Sequence, residues 1–456
     1  MRRLIAVILL GTSRLAAQDP LAPAVDSIAR EVLRQTGVPS ASLAVVRDGK
    51  LVYAQAYGDA RIDGHVPATT GMRYSIGSIS KQFCAGSVLL LVQDGKLSLD
   101  DPVAKYLPDL TRAGEVTIRQ LLSHTSGYQD YWPQDYVPPF MLDSVKARQI
   151  VDQWARKPLD FDPGTRWQYS NTNFVIAGMI VEKVSGMPFF EFLRTRILGP
   201  LGIESVKNID LGRLPDSDPV GYLRFALGPP RPAPKEGKGW LFAAGELAMT
   251  PSDLAKWDIA MIDQSLLAPA SYRAMETETL LRSGVGSHYG LGVDVGMGDG
   301  HRTISHGGEV SGFTAQNVVY PDDRAAVVVL TNQDAAGAAG AIARRIGDRL
   351  FTTEDAATQA HEAQARQIFE GLQKGTIDRS LFTADGNAYF TAQALADFAA
   401  SLAPLGAPTR FVQVDQELRG GMILRVYQAR FAQGGVRVWT FEMPDGKLEQ
   451  YQVASN

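Results

Sequence analysis

The sequence predicts an α/β protein of the α+β type: one antiparallel sheet flanked by helices, an all-helical lobe attached to it, and a small α+β domain behind. Three observations predict it. Two apolar runs, SASLAVVRDG and KLVYAQAYG, meet at Asp48–Gly49 as a hairpin near the start of the chain. Three strand-like runs, HRTISHGG, GFTAQNVVYP and RAAVVVLTN, return near residue 300, punctuated by Gly307–Gly308 and PDDR. Between these two groups the apolar spacing is mainly helical.

In chain order, Val25, Ile28, Val32 and Leu33 recur at helical spacing and stop at Thr36–Gly37. Residues 78–93 read as a buried helix. Residues 100–200 carry helical stretches in DPVAKYLPDL, TIRQLLSHTSG, DSVKARQIVDQWAR and NTNFVIAGMIVEKVSG. The Gly- and Pro-rich segment 203–239 reads as a long surface excursion. TPSDLAKWDIAMI restarts a helix, with Thr250 as cap and Pro251 at its first position. GAAGAIARRIGDRLF closes this first domain, 22–352. The polar stretch 353–363 reads as a structureless linker. Residues 364–456 form the small domain, with a helix in ARQIFEGLQKG and alternating strands in GMILRVYQARFA, VRVWTFEM and KLEQYQVA.

Composition removes several function classes. The chain has 456 residues, 45% hydrophobic and 21% charged, with net charge −4. That balance offers neither the basic excess of a nucleic-acid binder nor a polybasic membrane tail. One cysteine, Cys84, excludes an intramolecular disulfide and reads as a small core residue. The six histidines show no tight metal spacing, and neither a phosphate loop nor a G-x-S-x-G elbow occurs. Arg2–Arg3, the apolar run Leu4–Leu10 and Leu15–Ala16–Ala17 form an expected signal peptide, 1–17, so the mature protein is expected to be secreted or periplasmic. No later run is apolar and long enough to span a membrane.

The chemistry concentrates at SIGSISKQF. Ser78 and Lys81 stand three apart, on one face of a helix, whereas Ser75 and Ser80 do not share that face. A serine in a first helical turn gains free N–H groups for an oxyanion. A lysine in apolar surroundings loses proton affinity and can take the serine proton. The plain alternative is a serine cap and a lysine that reaches solvent. Tyr169–Ser170–Asn171 precedes a second apolar helix and offers a phenol and an amide. His306–Gly307–Gly308 lies on a strand where glycine permits close approach of a ligand, and His306 could donate to a substrate or to Tyr169. His124, in LLSHTSGY, reads as a structural residue fixing a turn, with Thr-Ser-Gly as the helix stop.

In this order, Ser78-x-x-Lys81, Tyr169-x-Asn171 and His306-x-Gly308 resemble the signature of serine hydrolases of the penicillin-binding-protein and class C β-lactamase type. The resemblance is to the branch of related esterases and D-amino-acid peptidases. LLSHTSGY, DPGTRWQYSN and AAGELAMTPSDLAKW are similar to that branch too. It implies a β-lactamase/transpeptidase-like fold over residues 22–352. It also implies an acyl-enzyme on Ser78, with proton transfer by Lys81 and Tyr169. Asn171, His306, Gly308 and Glu309 would bind substrate, and the N–H groups of Ser78 and Glu309 would form the oxyanion hole. No cofactor or metal is expected. The expected partner is a small-molecule or peptide substrate, with no nucleic acid and no stable membrane insertion. The small domain resembles the nuclear-transport-factor-2-like type through DRSLFTADGNAYFT and DGKLEQYQV.

Two departures set the substrate expectation. β-Lactamases and cell-wall peptidases usually begin the strand motif with lysine, where this chain has His306, mostly neutral at pH 7. Glu309 adds negative charge if it faces the cleft. Both favour an ester or amide without an obligatory carboxylate. The alternatives are a β-lactamase or cell-wall DD-peptidase, a slowly deacylating penicillin-binding sensor, and an interaction protein working through its second domain.

Overall fold

The computed structural model describes residues 21–298, 300–351, 356–431 and 434–455. The expected signal peptide lies outside them. The chain divides into two compact units between Phe351 and Thr352.

The first unit is built on a seven-stranded antiparallel sheet. Its order is Val66–Pro67, Lys50–Arg61, Ser40–Arg47, Ala325–Thr331, Phe313–Tyr320, His301–Val310 and Asp294–Gly298. The earliest and latest long strands thus pair at the centre, with Ala44 opposite Val328. Strand Ser40–Arg47 is apolar on both faces because both are covered. Ala41, Leu43 and Val45 pack with helices Leu21–Thr36 and Ala338–Phe351. Ala44 and Val46 pack into the larger core, with helices Ser80–Gln93 and Pro251–Asp263. Thr250 caps the latter, accepting the Asp253 N–H.

The helix at Ser80–Gln93 buries every residue from Ser80 to Leu91. Its apolar character runs all round, the pattern of a helix enclosed by others. Asn171–Ser185 and Ala147–Trp154 belong to the lobe around it.

Four details differ from expectation. The buried helix starts at Ser80, and Ser78 stands in a 3₁₀ turn, Gly77–Ile79, ahead of it. DPVAKYLPDL yields only a 3₁₀ turn, Val103–Lys105, because prolines bracket it. The 203–239 excursion is tied down rather than superficial. Buried Asp218 accepts from Arg73 N and Nε, and buried Asp210 accepts from the Gly239 and Leu241 amides. Finally, a helix, Ala356–Leu372, runs through most of the segment expected to be a structureless linker. Alanine, glutamine and glutamate favour helix, and neither glycine nor proline interrupts them before Gly371.

The second unit is a four-stranded antiparallel sheet, Arg410–Arg419, Met422–Arg430, Gly435–Glu442 and Leu448–Ser455, in sequence order. Helices Ala356–Leu372, Ala384–Tyr389 and Ala392–Leu402 accompany it. Phe369, Phe382, Tyr427, Val438 and Tyr451 are central to its core. Its likeness to the nuclear-transport-factor-2-like type stays an expectation.

Candidate active site

Strand His301–Val310 runs against the Gly77–Ile79 turn. A Cβ on Gly308 would sit 1.9 Å from Ile76 O, and one on Gly77 would sit 2.7 Å from Glu309 N. Glycine at both positions is therefore what lets the strand backbone approach Ser78.

Half-buried Ser78 receives two donors. Lys81 Nζ lies 2.9 Å and Tyr169 Oη 2.7 Å from its Oγ. Lys81 is fully buried, and its hydrogen-bond partners are all uncharged: Ser78 Oγ, Asn171 Oδ1 at 2.8 Å and Ala244 O at 2.8 Å. Burial pulls its pKa down to about 7, against an opposing pull from Asp130. Two of its three acceptors are carbonyl oxygens, which only accept. A neutral Lys81 therefore keeps its two N–H groups on these and turns its lone pair to the Ser78 hydroxyl. Tyr169 is held as a neutral phenol, chiefly because burial raises its pKa.

Asn171 opens helix Asn171–Ser185 and is oriented by Asp130. That carboxylate accepts the Asn171 backbone N–H at 2.9 Å and its Nδ2 at 3.2 Å. Of the residues singled out from sequence, Ser78, Lys81, Tyr169 and Asn171 thus form one hydrogen-bonded cluster, with Gly308 and Glu309 alongside.

His306 is arranged differently from expectation. Its Nε2 pairs with Tyr289 Oη at 2.9 Å and its Nδ1 with Gly307 O. A carbonyl can only accept, so Nδ1 carries the proton and Nε2 accepts from Tyr289. Neither nitrogen is left to donate to a substrate or to Tyr169. Burial, aided by Lys81, pushes its pKa down to about 3, so it is neutral. The Glu309 carboxylate turns to the Ala335 N–H, at 2.8 Å, and burial raises its pKa.

Sequence reasoning missed Asp130, Tyr289, Asp294 and the Ala244 carbonyl. Asp130 sits two residues beyond LLSHTSGY, but no spacing ties it to Asn171. The four missed residues line a cavity of about 1300 Å³, together with Ser78, Tyr169, Asn171, His306, Gly308 and Glu309. Its wall holds Asp130, Asp135, Asp294, Glu309 and Asp334 against one arginine, Arg224, among the described residues.

The sequence model of the family described as Beta-lactamase matches residues 25–351. A D-aminopeptidase of Cereibacter sphaeroides is 32% identical over 313 residues, 66% of this chain and 58% of that protein. Penicillin-binding protein 4* of Bacillus subtilis is 28% identical over 300 residues, 63% of this chain and 66% of that protein. The chain thus matches less than two thirds of the length of these curated relatives. The solved D-amino acid amidase of Ochrobactrum anthropi SV3, complexed with L-phenylalanine amide, shares the fold with a TM-score of 0.64 and 27% identity. That match covers 73% of this chain and 99% of the amidase. An octameric penicillin-binding protein homologue from Pyrococcus abyssi shares the fold over 95% of this chain and 96% of its own, with a TM-score of 0.64 and 22% identity. With more than half its length matched by the family and the Ser78–Lys81–Tyr169 cluster set in the cleft of that fold, the chain belongs to the beta-lactamase family.

Proposed function

We propose that the protein is a serine hydrolase that moves an acyl group from an amide or ester to Ser78 and then to water. The observation that carries this is the Ser78 oxygen held between Lys81 Nζ and Tyr169 Oη, 2.9 and 2.7 Å away. Neutral Lys81 takes the serine proton as Oγ bonds the substrate carbonyl carbon. The backbone N–H groups of Ser78 and Glu309 face the resulting oxyanion, and losing one such donor typically costs about 2.7–4 kcal/mol of barrier. The scissile bond breaks as the leaving amine or alcohol takes a proton through Tyr169, which Lys81 replenishes. Water then attacks the acyl-enzyme, gives its proton back along the same route, and frees the acid.

The acyl donor in this reading carries a cation rather than a carboxylate. Five carboxylates against one arginine in the wall disfavour an anionic substrate, and neutral His306 offers no fixed charge to hold one. The relatives' names, D-aminopeptidase and D-amino acid amidase, support an amide with a free amine. The penicillin-binding relatives and the leader expected at 1–17 support a cell-envelope or exported location.

Intact-mass measurement on a panel of p-nitrophenyl esters, D-amino-acid anilides and penicillin tests it. An adduct that forms on Ser78, turns over, and vanishes in Ser78→Ala is the expected result. A penicillin adduct that never turns over would favour the sensor reading, and no adduct with any member would remove the nucleophile.

A further inference from the structure

His124 is fully buried and plays no part in the proton route above. Its position relative to Tyr169 is nevertheless specific. The residues on either side of Tyr169 are both bonded to it: the His124 carbonyl accepts the Gln168 N–H at 3.0 Å, and its Nδ1 accepts the Ser170 N–H at 3.1 Å. The imidazole itself packs on the Tyr169 ring, with centroids 4.3 Å apart. Residues 166–170 lie in neither helix nor strand, so no regular ladder fixes the phenol. We propose that His124 is the positioning residue that aims the Tyr169 hydroxyl at Ser78, working as an uncharged bracket and never as an acid or base.

The bracket is anchored at its own base. Thr125 O accepts the Gly164 N–H at 2.7 Å, and Gly127 O accepts the Asp160 N–H at 2.9 Å. Gly127 approaches so closely that a Cβ there would sit 2.3 Å from Phe161 O. Asn173 Nδ2 approaches Nδ1 of His124 at 3.4 Å, while its Oδ1 accepts Ser126 Oγ at 2.6 Å. His124 has φ +57°, a left-handed conformation that costs energy for a ring-bearing residue. The chain accepts that strain where it turns carbonyl and ring toward the same tripeptide.

The tautomer follows from the same bonds. Nδ1 accepts, so Nε2 carries the proton, and among the described residues buried Nε2 has no hydrogen-bond partner. The rings of Tyr169, Tyr289, Phe174 and Trp167 pack around the imidazole. Among the described residues Nε2 has no protein acceptor to which it could pass a proton. Charging the ring would set Nδ1–H against the Ser170 N–H. Burial opposes it as well, and so do the neighbouring cationic forms of Lys81 and His306.

This inference rests on the reading of Tyr169 as a proton carrier for Ser78, and a double-mutant cycle separates the two. The readouts are the rate of Ser78 labelling by a fluorophosphonate and steady-state turnover of a p-nitrophenyl ester. H124G keeps the left-handed backbone and removes the ring. H124N tolerates that backbone and returns an acceptor close to the Nδ1 position. A displacement of about 1 Å costs on the order of 100-fold, so H124G should lose about that factor in kcat with KM little changed. H124N should recover about tenfold of it and leave the acid limb of the pH profile in place. In a Y169F background the H124G loss should shrink to about threefold or less, because the hydroxyl it aims is gone. Equal losses in both backgrounds, a loss confined to KM, or a displaced acid limb in H124N would overturn the proposal. The H124N cycle reads the same coupling if H124G melts early by circular dichroism. Wild-type enzyme that never labels at Ser78 would instead remove the hydrolase reading, and this inference with it.

Discussion

Among the described residues each unit buries one long cation, and the two are treated in opposite ways. In the second unit, Arg425 is 5% exposed and is matched by a carboxylate: Nη1 meets Glu442 Oε2 at 2.5 Å, and Nε meets Gln416 at 3.2 Å. In the first, Lys81 is 0% exposed and its hydrogen bonds go to a hydroxyl and two carbonyl oxygens. A guanidinium stays charged in any protein and needs a counter-charge when buried. An ammonium surrounded by neutral dipoles has another way to lower its energy, which is to lose its proton. The Arg425 arrangement makes structure, and under the proposed function the Lys81 arrangement makes a base.

The largest expected effects come from removing each cation. Lys81→Met should cut the rate of Ser78 acylation by about 10²–10⁴-fold, the range a positioned base supplies. It should leave the fold about as stable as before, since the penalty for burying an amine is removed while Asn171 Oδ1 and Ala244 O lose a donor. Arg425→Met should do the reverse. It leaves the Glu442 carboxylate with His361 beside it, at 3.4 Å, and no guanidinium, and costs about 3–5 kcal/mol in urea unfolding of that unit, while Ser78 labelling is unchanged. A Lys81→Met protein that unfolds, or an Arg425→Met protein that loses nothing, would break the comparison.

The proton on Lys81 gives the next effect. With its pKa near 7, kcat/KM should fall about tenfold per pH unit below that value and level off above it. Asp130 raises that pKa, so Asp130→Asn should move the acid limb to lower pH, and a limb moving upward would contradict the assignment. Stability has its own sign. The folded value lies below the ordinary 10.5, so between about pH 7 and 10.5 the unfolded chain binds more protons at this group. The penalty for burying Lys81 is therefore full below pH 7 and fades as pH rises across that window.

What was legible in the sequence follows from how far apart the cooperating groups lie. Ser78 and Lys81 are one helical turn apart, so their spacing alone puts them together. Asn171 opens an apolar helix, which fixes where its side chain points, and Tyr169 stands two residues ahead of that helix. Asp130 was hidden because it reaches Asn171 through a loop, 41 positions away. The partner at Ala244 is a backbone carbonyl, which no residue type announces. In sequence His306 has the look of a free donor because its partner, Tyr289, comes from a separate segment. In the second unit, strand Arg410–Arg419 escaped notice since most of it is exposed, Val414 and Leu418 included, and its polar–apolar pattern marks no inner face.

The smallest effect concerns charge at the cavity wall. No side-chain hydrogen bond or ion pair engages Asp294 among the described residues, and its carboxylate keeps an edge open to the cleft while the surrounding wall pushes its pKa up to about 6. It contrasts with Asp130, whose oxygens are occupied by Trp132 and Asn171. Asp294, like Asp135 on the same wall, is therefore a carboxylate free to meet a substrate ammonium. An ion pair this open to water is worth about 0.2–1 kcal/mol, so Asp294→Asn should raise KM for a D-amino-acid anilide by about fivefold at most. A neutral acetyl ester should be hydrolysed as before. The difference should close as pH falls through about 6, because the wild-type carboxylate then takes up its proton and the two side chains become alike in charge. Discrimination that persists at pH 5, or that appears equally with the neutral ester, would show that the wall acts by shape and not by charge.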